Sequence, residues 1–215
     1  MQVLRLQPGD AITLFDGQGG EWQARIEQMG RSVVSVQVLA HQPVDRELAF
    51  EVTIAMGMPA NERMDSVVEK ATELGVAVIQ PLMCERSVLR LAGERADKKV
   101  AHWQSVAVAA SEQCGRTRVP TVQPVRALSA WLAALSSEAI VQRHVLSLRA
   151  GSRGLAAGQA GEARLFLSGP EGGLSEVEEQ AALGAGFQPM SLGPRVLRAD
   201  TAPLAVLAAL SVSPR

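Results

Sequence analysis

From residue 51 onward, apolar segments of strand length alternate with amphipathic segments of helix length. EVTIAMGMP at 51–59 is predicted to be a strand that ends in a turn, and VAVIQPLM at 76–83 is predicted to be the next strand. The segment between them has a helical apolar stripe, with Asn61 as a candidate N-cap and Gly75 placed to end the helix. Because a strand, a helix and a strand in close succession form a parallel pair with a right-handed crossover, this region is predicted to be an α/β domain. The stripe consists of Met64, Val67, Val68, Ala71 and Leu74.

Residues 1–40 have a different pattern, in which short β-rich segments are separated by the turn sequences PGD and DGQGG. The spacing of these segments is typical of a small β-barrel or sandwich. The polar segment HQPVDREL at 41–48 is predicted to link this module to the α/β domain. The β-rich segments are VLRL, AITLF, EWQARIEQM and SVVSVQVL.

Composition and residue spacing argue against several classes of protein. With 47% apolar and 20% charged residues, the chain is neither disordered nor a coiled coil. It has no apolar run of membrane-spanning length and no signal-peptide pattern, so we expect a cytoplasmic location. Cys84 and Cys114 are far apart in sequence, and the three histidines (His41, His102 and His144) do not have metal-ligand spacing. We therefore expect neither a metal site nor a disulfide.

Charge is distributed unevenly along the chain, although the net charge is only −1. Residues 86–126 contain eight basic and three acidic residues, whereas residues 51–85 contain two basic and six acidic residues. A helix predicted at 97–115 carries Lys98 and Lys99 in its first turn, where lysines oppose the helix dipole. Residues 86–126, the basic block, form either a phosphate-binding strip or a solvated helix face with compensating ion pairs.

Two glycine-containing loops follow predicted parallel strands in the last fifty residues, GPEGG at 169–173 and LGPRVLR at 192–198. Ser175 and Glu178 have the spacing of a capping box, which predicts that a helix begins near Glu176. Ligands of open α/β sheets bind at the carboxyl ends of the strands, so one ligand is predicted to touch both loops. The alternative is that both loops are plain strand-to-helix connections.

The charge of the first loop restricts the class of ligand. The loop is rich in glutamates and lacks the lysine of a phosphate-binding loop, and a carboxylate 4 Å from a phosphate costs roughly 4 kcal/mol at an effective dielectric constant of about 20. A nucleotide triphosphate or a dinucleotide is therefore disfavoured. A ligand with an adenine-like ring and a positive or zwitterionic centre fits better, and S-adenosylmethionine is such a ligand.

Five motifs, in this order along the chain, resemble the bacterial 16S ribosomal RNA uracil-N3 methyltransferases (RsmE type) of the SPOUT superfamily. They are EKATELGV at 69–76, ERSV at 85–88, SEQCGRTRVP at 111–120, SGPEGGLSEVE at 168–178 and SLGPRVLRADTA at 191–202. The resemblance covers nearly the whole chain. It implies a SPOUT methyltransferase domain with a trefoil knot and a parallel sheet at 50–215, a PUA-like β-barrel RNA-binding module at 1–45, and a homodimer.

The resemblance also implies a reaction, which is the methylation of N3 of a specific uridine in 16S ribosomal RNA of the assembled small subunit. S-adenosylmethionine is the implied methyl donor, and no metal is required. The family usually has a segment before VLRL with a histidine and the first barrel strand, so the N-terminal module here is expected to lack that strand. The implied donor-binding residues are Leu167, Gly169, Gly172, Met190, Leu192, Gly193, Leu197 and Arg198.

Methylation of uracil N3 removes a proton, so the site needs a base or a cation that stabilises the developing uracil anion. Arg198 is the first candidate for this cation and Arg195 the second, while Glu171 is a candidate to orient the donor or to accept the proton. The alternative interpretations are a surface cation and a helix-start carboxylate. Phosphate contacts with RNA are predicted for Arg86, Arg116 and Arg118, with Lys98 and Lys99 as weaker candidates.

Two other functions stay open at the level of the sequence. A SPOUT methyltransferase that modifies a ribose 2′-hydroxyl or a transfer RNA base would have similar loops. A non-catalytic RNA-binding or ribosome-assembly factor would keep the fold without transferring a methyl group.

Overall fold

The N-terminal part of the chain is an antiparallel sheet. A computed structural model describes residues 5–135, 141–155 and 162–212. Its first three strands, β1 (Ala11–Leu14), β2 (Glu21–Met29) and β3 (Val34–Gln42), pair in the order β1–β2–β3. They correspond to the predicted segments AITLF, EWQARIEQM and SVVSVQVL, whereas VLRL at 3–6 lies partly outside the described residues. These three strands do not close into a barrel within the described part of the chain.

The α/β domain is built on a parallel sheet, as predicted. Among the described residues it has eight strands, ordered β6–β5–β4–β10–β8–β11–β9, with β7 paired to β5. The pairings of these strands are parallel. The strands are β4 (Val52–Gly57), β5 (Val78–Met83), β6 (Thr121–Val122), β7 (Arg126–Ala127), β8 (Val141–Leu146), β9 (Arg153–Gly154), β10 (Ala163–Ser168) and β11 (Gln188–Ser191).

Five helices of the described chain cover both faces of this sheet. Side chains alternate along β10, so Phe166 packs into a core with residues of α1, α2 and α5, while Leu165 and Leu167 pack into a second core with residues of α3 and α4. A parallel sheet buried on both faces has apolar strands, as β4 and β10 do. The helices are α1 (Asn61–Glu73), α2 (Gly93–Cys114), α3 (Leu128–Ala133), α4 (Glu176–Gly184) and α5 (Thr201–Ser211).

The parallel βαβ unit predicted from residue 51 is confirmed. β4 and β5 pair in parallel, and α1 connects them. The predicted apolar stripe of α1 faces the core, where Met64 and Val68 are fully buried. Ala60 occupies the N-cap position and makes no side-chain capping hydrogen bond, so the prediction of Asn61 as the N-cap is wrong by one residue.

Helix α2 begins at Gly93, four residues earlier than predicted. Ala92 occupies the N-cap position and has no capping side chain, so no local sequence pattern indicates the true start of the helix. Lys98 and Lys99 therefore lie in the second turn, and the prediction that they oppose the dipole from the first turn is wrong. The Lys98 Nζ atom lies 3.7 Å from Glu94 Oε2 on an exposed face, as expected for a solvated helix surface.

Within the described ranges, no helix is both long and apolar enough to cross a membrane. In the same ranges, no group of three or more His, Cys, Asp or Glu side chains is arranged to hold a metal ion. Cys84 is buried and Cys114 is half-buried, and both are free thiols. Burial, with a smaller contribution from the carboxylate of Glu178, raises the pKa of the Cys84 thiol to about 12.

Candidate functional site

A cleft of about 730 Å³ lies at the carboxyl ends of strands β8, β10 and β11. Residues 169–174, after β10, form one wall, and residues 195–199, after β11, form another. β8 lies between β10 and β11 in the sheet, so residues 146–148 at its end line the cleft between the two walls. The two loops singled out in the sequence therefore border one cavity, whose volume suits a small organic ligand.

Six of the eight predicted donor-binding residues line this cleft: Gly169, Gly172, Met190, Leu192, Leu197 and Arg198. Leu167 does not line it, because its side chain points to the opposite face of β10 and is fully buried against α3 and α4. Gly193 is also outside the lining, at a loop position with φ of 102°.

The GPEGG loop packs tightly against itself and against the end of β4. A Cβ atom added to Gly169 would lie 2.6 Å from the backbone nitrogen of Leu174. A Cβ atom added to Gly57, at the end of β4, would lie 2.4 Å from Pro170 Cδ. Only glycine fits at these two positions, which explains the close approach of the loop to the sheet.

The helix start after the GPEGG loop has the predicted capping box. The Ser175 hydroxyl accepts a hydrogen bond from the Glu178 amide at 3.3 Å, and Glu178 Oε2 accepts one from the Ser175 amide at 3.0 Å. The other carboxylate oxygen of Glu178 accepts a hydrogen bond from the Glu85 amide at 2.8 Å. Next to it, Arg86 Nη1 donates to the Gly172 carbonyl at 2.9 Å. Glu85 and Arg86, which follow β5, thus stabilise the GPEGG loop and the start of α4 by hydrogen bonds.

The carboxylate of Glu171 is held at the beginning of α1. Its Oε1 atom accepts a hydrogen bond from the Ala60 amide at 3.0 Å and lies 3.9 Å from Arg63 Nη1. Both Glu171 and Arg63 line the cleft. Arg63 was not among the predicted site residues, because nothing local to helix α1 indicates that its first turn faces a loop more than one hundred positions later.

Arg195 and Arg198 line the second wall and are exposed. Neither guanidinium makes a hydrogen bond or an ion pair with the described residues. The Arg198 carbonyl accepts hydrogen bonds from the amides of Thr201 and Ala202, both at 3.0 Å, so its backbone is fixed at the start of α5. The second wall therefore presents two exposed cations to a ligand in the cleft, and hydrogen bonds hold the backbone of one of them, Arg198.

Ser147 and Glu179 were not predicted, yet both line the cleft. The Ser147 hydroxyl donates a hydrogen bond to Glu179 Oε1 at 2.5 Å, and Arg149 Nη1 lies 3.9 Å from the same oxygen. Ser147 follows β8, which the sequence predicts as a strand around AIVQRHVLSL. Ser147 could have been predicted from its position at the carboxyl end of that strand, because the carboxyl ends of parallel strands lie along one edge of the sheet.

The three arginines predicted to contact RNA have different environments. Arg116 is buried, at 5% exposure, and its Nη1 donates to the carbonyls of Thr72 at 2.8 Å and Val76 at 3.0 Å. Its guanidinium also forms an ion pair with Glu47. These contacts favour a structural role for Arg116, because its side chain is almost wholly buried and its guanidinium is already paired. Arg86 is exposed, and its guanidinium already donates a hydrogen bond to the Gly172 carbonyl of the GPEGG loop.

Arg118 is exposed and lies where the N-terminal sheet meets the α/β domain. Its backbone forms isolated β-bridges with Gly17 and Gln18. Nearby, the Gly19 amide donates to the Thr117 carbonyl at 3.1 Å, and the Val119 amide donates to the Gly17 carbonyl at 3.0 Å. The segment around Arg118 therefore joins the two parts of the chain and leaves its cation on the surface.

Residues 46–211 match the RNA methyltransferase domain family, and residues 1–39 match the RNA methyltransferase PUA domain. The chain belongs to this RNA methyltransferase family. The resemblance inferred from the five sequence motifs is thereby confirmed, as is the PUA-like character of the N-terminal part. A related sequence is the ribosomal RNA small subunit methyltransferase E of Synechocystis, which is 33% identical over 98% of this chain and 68% of its own length.

Two solved structures are similar to this RNA methyltransferase over most of its length. The ribosomal RNA small subunit methyltransferase E of Neisseria gonorrhoeae, bound to S-adenosyl methionine, has a TM-score of 0.88 and 37% identity, covering 97% of this chain and 85% of that one. A putative methyltransferase from Legionella pneumophila, in complex with the same cofactor, has a TM-score of 0.88 and 34% identity, with the same coverage.

Proposed function

We propose that the protein transfers a methyl group from S-adenosylmethionine to N3 of a specific uridine in 16S ribosomal RNA, acting on the assembled small ribosomal subunit. The observation that carries the proposal is that the GPEGG and LGPRVLR loops form two walls of one ligand-sized cleft. The gonococcal relative, which is a ribosomal RNA small subunit methyltransferase E, was solved with this donor bound. The choice of uridine N3 rests on the resemblance to the uracil-N3 methyltransferases.

The chemistry of the cleft fits this donor. Met190, Leu192 and Leu197 offer an apolar surface for an adenine ring, while Glu171 and Arg195 offer both signs of charge for a zwitterionic methionine end. S-adenosylmethionine supplies an activated methyl group on a sulfonium centre. The protein must align the donor with the attacking nitrogen and exclude water from between them.

Arg198 and Glu171 carry the proposed catalytic roles. The Arg198 guanidinium, which has no partner among the residues that the structure describes, stabilises the negative charge that develops on uracil as its N3 proton leaves. Glu171 is fixed by the Ala60 amide and lies near Arg63, so it is suited to orienting the donor. The same carboxylate is also a candidate proton acceptor, because it borders the cleft.

The RNA is proposed to approach along the exposed cations of the basic block. Arg118 lies at the junction with residues 1–45, the proposed PUA-like RNA-binding module, and Arg86 lies next to the cleft. Lys98, which is exposed, and Lys99, which is half-buried, are weaker candidates that extend the strip along α2. Local cations combined with shape recognition suit a substrate as large as a ribosomal particle, even though the net charge of the chain is −1.

The resemblance supports three further features. Residues 50–215 form a SPOUT methyltransferase domain whose two cleft loops belong to a trefoil knot. The protein acts as a homodimer, which light scattering of the purified protein tests directly. Its site of action is the cytoplasm, where ribosomal particles are assembled.

One experiment tests the proposed function at two levels. Calorimetric titration with S-adenosylmethionine measures donor binding, and incorporation of labelled methyl groups into small subunits from a strain without the related enzyme measures transfer. We expect both, with the methyl group mapped to N3 of one uridine. A methyl group on a ribose or in transfer RNA would indicate a different target, and donor binding without transfer would indicate an assembly factor.

A further inference from the structure

Ser168, the last residue of β10, has a buried hydroxyl group without a hydrogen-bond partner. The residue is 4% exposed, and no donor or acceptor among the described residues satisfies its Oγ atom. Buried hydroxyl groups are normally paired, because an unmade hydrogen bond away from water costs stability. The described part of the chain therefore leaves the Ser168 hydroxyl without the hydrogen-bond partner that a buried hydroxyl group normally has.

Ser168 is also part of the cleft lining, immediately before Gly169. Because side chains alternate along a strand, Ser168 lies on the same face of β10 as Phe166. Phe166 shares its core with Met190, which lines the cleft, so this is the face of β10 that leads into the cavity. The other described side chains with buried unpartnered polar atoms, Ser111 and Arg164, do not line the cleft.

We propose that the Ser168 hydroxyl hydrogen-bonds the adenosine part of S-adenosylmethionine and so acts as a donor-binding residue. This inference rests on the proposed function, since it concerns the same cleft and the same ligand. A serine hydroxyl both donates and accepts, and rotation about χ1 turns it toward a ligand that fills the cavity.

The adenosine part is favoured over the methionine end on grounds of charge. Five charged side chains line the cleft: Glu171, Arg195 and Arg198 are exposed, whereas Arg63 and Glu179 are half-buried, and none of the five hydrogen-bonds the Ser168 hydroxyl. Ser168 is uncharged and buried at the end of the strand. A neutral polar group matches it, because a charged ammonium or carboxylate in the same place would lose its solvation without gaining an opposite charge.

Substitution of Ser168 by alanine tests the inference, with binding measured by calorimetry for S-adenosylmethionine and for 5′-methylthioadenosine, which keeps the adenosine part and lacks the charged amino-acid end. Loss of one hydrogen bond should weaken both ligands by the same factor, about 2- to 10-fold. Without ligand, the variant should unfold at a higher temperature than the wild type, because a buried unsatisfied group has been removed. S168C, which fills the same space with a weak hydrogen-bonding group, should also bind both ligands less tightly.

Ser111 offers a matched control. Its hydroxyl is also buried and unpartnered, but it lies on α2 outside the cleft. S111A should raise thermal stability and leave both affinities unchanged. If wild-type protein binds no donor, the proposed function itself is wrong. If the wild type binds and S168A binds equally well, or if only S-adenosylmethionine is weakened, the assignment of Ser168 to the adenosine part is wrong and the proposed function stands.

Discussion

Pro170 lies directly over Gly57, so closely that a single added methyl group at Gly57 would approach Pro170 Cδ to 2.4 Å. The contact joins the end of β4 to the loop after β10, although the two residues are more than one hundred positions apart. The first wall of the cleft is thus positioned by the absence of a side chain on a neighbouring strand.

Gly57→Ala is expected to lower the free energy of unfolding by about 1–3 kcal/mol, because neither the loop backbone nor the sheet can give way freely. It should also weaken donor binding, since Pro170 and Glu171 line the cleft. Chemical denaturation and calorimetry measure the two effects. Gly184→Ala is the control, because nothing lies within 4 Å of its added Cβ atom and the change should not reduce stability. Equal stability and equal donor affinity of the two variants would contradict the tight packing of Pro170 against Gly57.

Arg198→Ala is expected to retain donor binding and to lower methyl transfer by about 100-fold or more, the range found when one electrostatic donor is removed from an active site. Its backbone carbonyl, which accepts hydrogen bonds from the amides of Thr201 and Ala202 at the start of α5, would be unchanged. Donor titration and single-turnover transfer to small subunits separate the two steps. Arg195→Ala, the neighbouring exposed cation, should have a smaller effect on transfer. Unchanged turnover in Arg198→Ala would remove this residue from the mechanism.

Arg116→Ala is expected to destabilise the fold by about 3–5 kcal/mol, the usual cost of removing one partner of a buried ion pair. The substitution leaves Glu47 without its cation and the carbonyls of Thr72 and Val76 without their donor. Urea denaturation measures the change. A stable variant with weakened affinity for ribosomal particles would instead show that Arg116 is a phosphate contact.

Arg118→Ala is expected to fold normally and to weaken binding to small subunits. Loss of one phosphate contact should reduce the slope of log affinity against log salt concentration by about 1. Lys70→Ala is a suitable control, because Lys70 is an exposed cation already paired with Glu69 and Glu73 in the acidic segment. A salt dependence identical to that of the wild type would take Arg118 out of the RNA-binding surface.

Cys84 should remain a neutral thiol across the ordinary pH range, since burial raises its pKa to about 12. The native protein should therefore react with a thiol reagent at pH 8 mainly at the half-buried Cys114. The unfolded chain ionises this thiol near pH 9, whereas the folded chain does so only near pH 12. Stability is therefore unaffected by this group below about pH 9 and falls as pH rises toward 12, a decline that Cys84→Ala should reduce.

Local signals in the sequence predicted much of this site. Glycine, proline and the Ser175–Glu178 capping pattern are short-range features, and they located the first loop and the start of α4. The position of Ser147 depends on strand order, since β8 comes before both loops in sequence but lies between their strands in the sheet. Burial also depends on residues that are distant in sequence. Arg116 resembles an exposed cation in the sequence, yet it is enclosed by contacts with Glu47, Thr72 and Val76.

The strand order around β8 also affects how the protein matures during translation. One side of the donor pocket is formed by residues 146–148, and the opposite sides are formed by residues 168–174 and 195–199. The cavity therefore stays open on one side until residues 195–199 have been synthesised and have left the ribosome. A nascent chain that stops short of these residues cannot enclose the methyl donor.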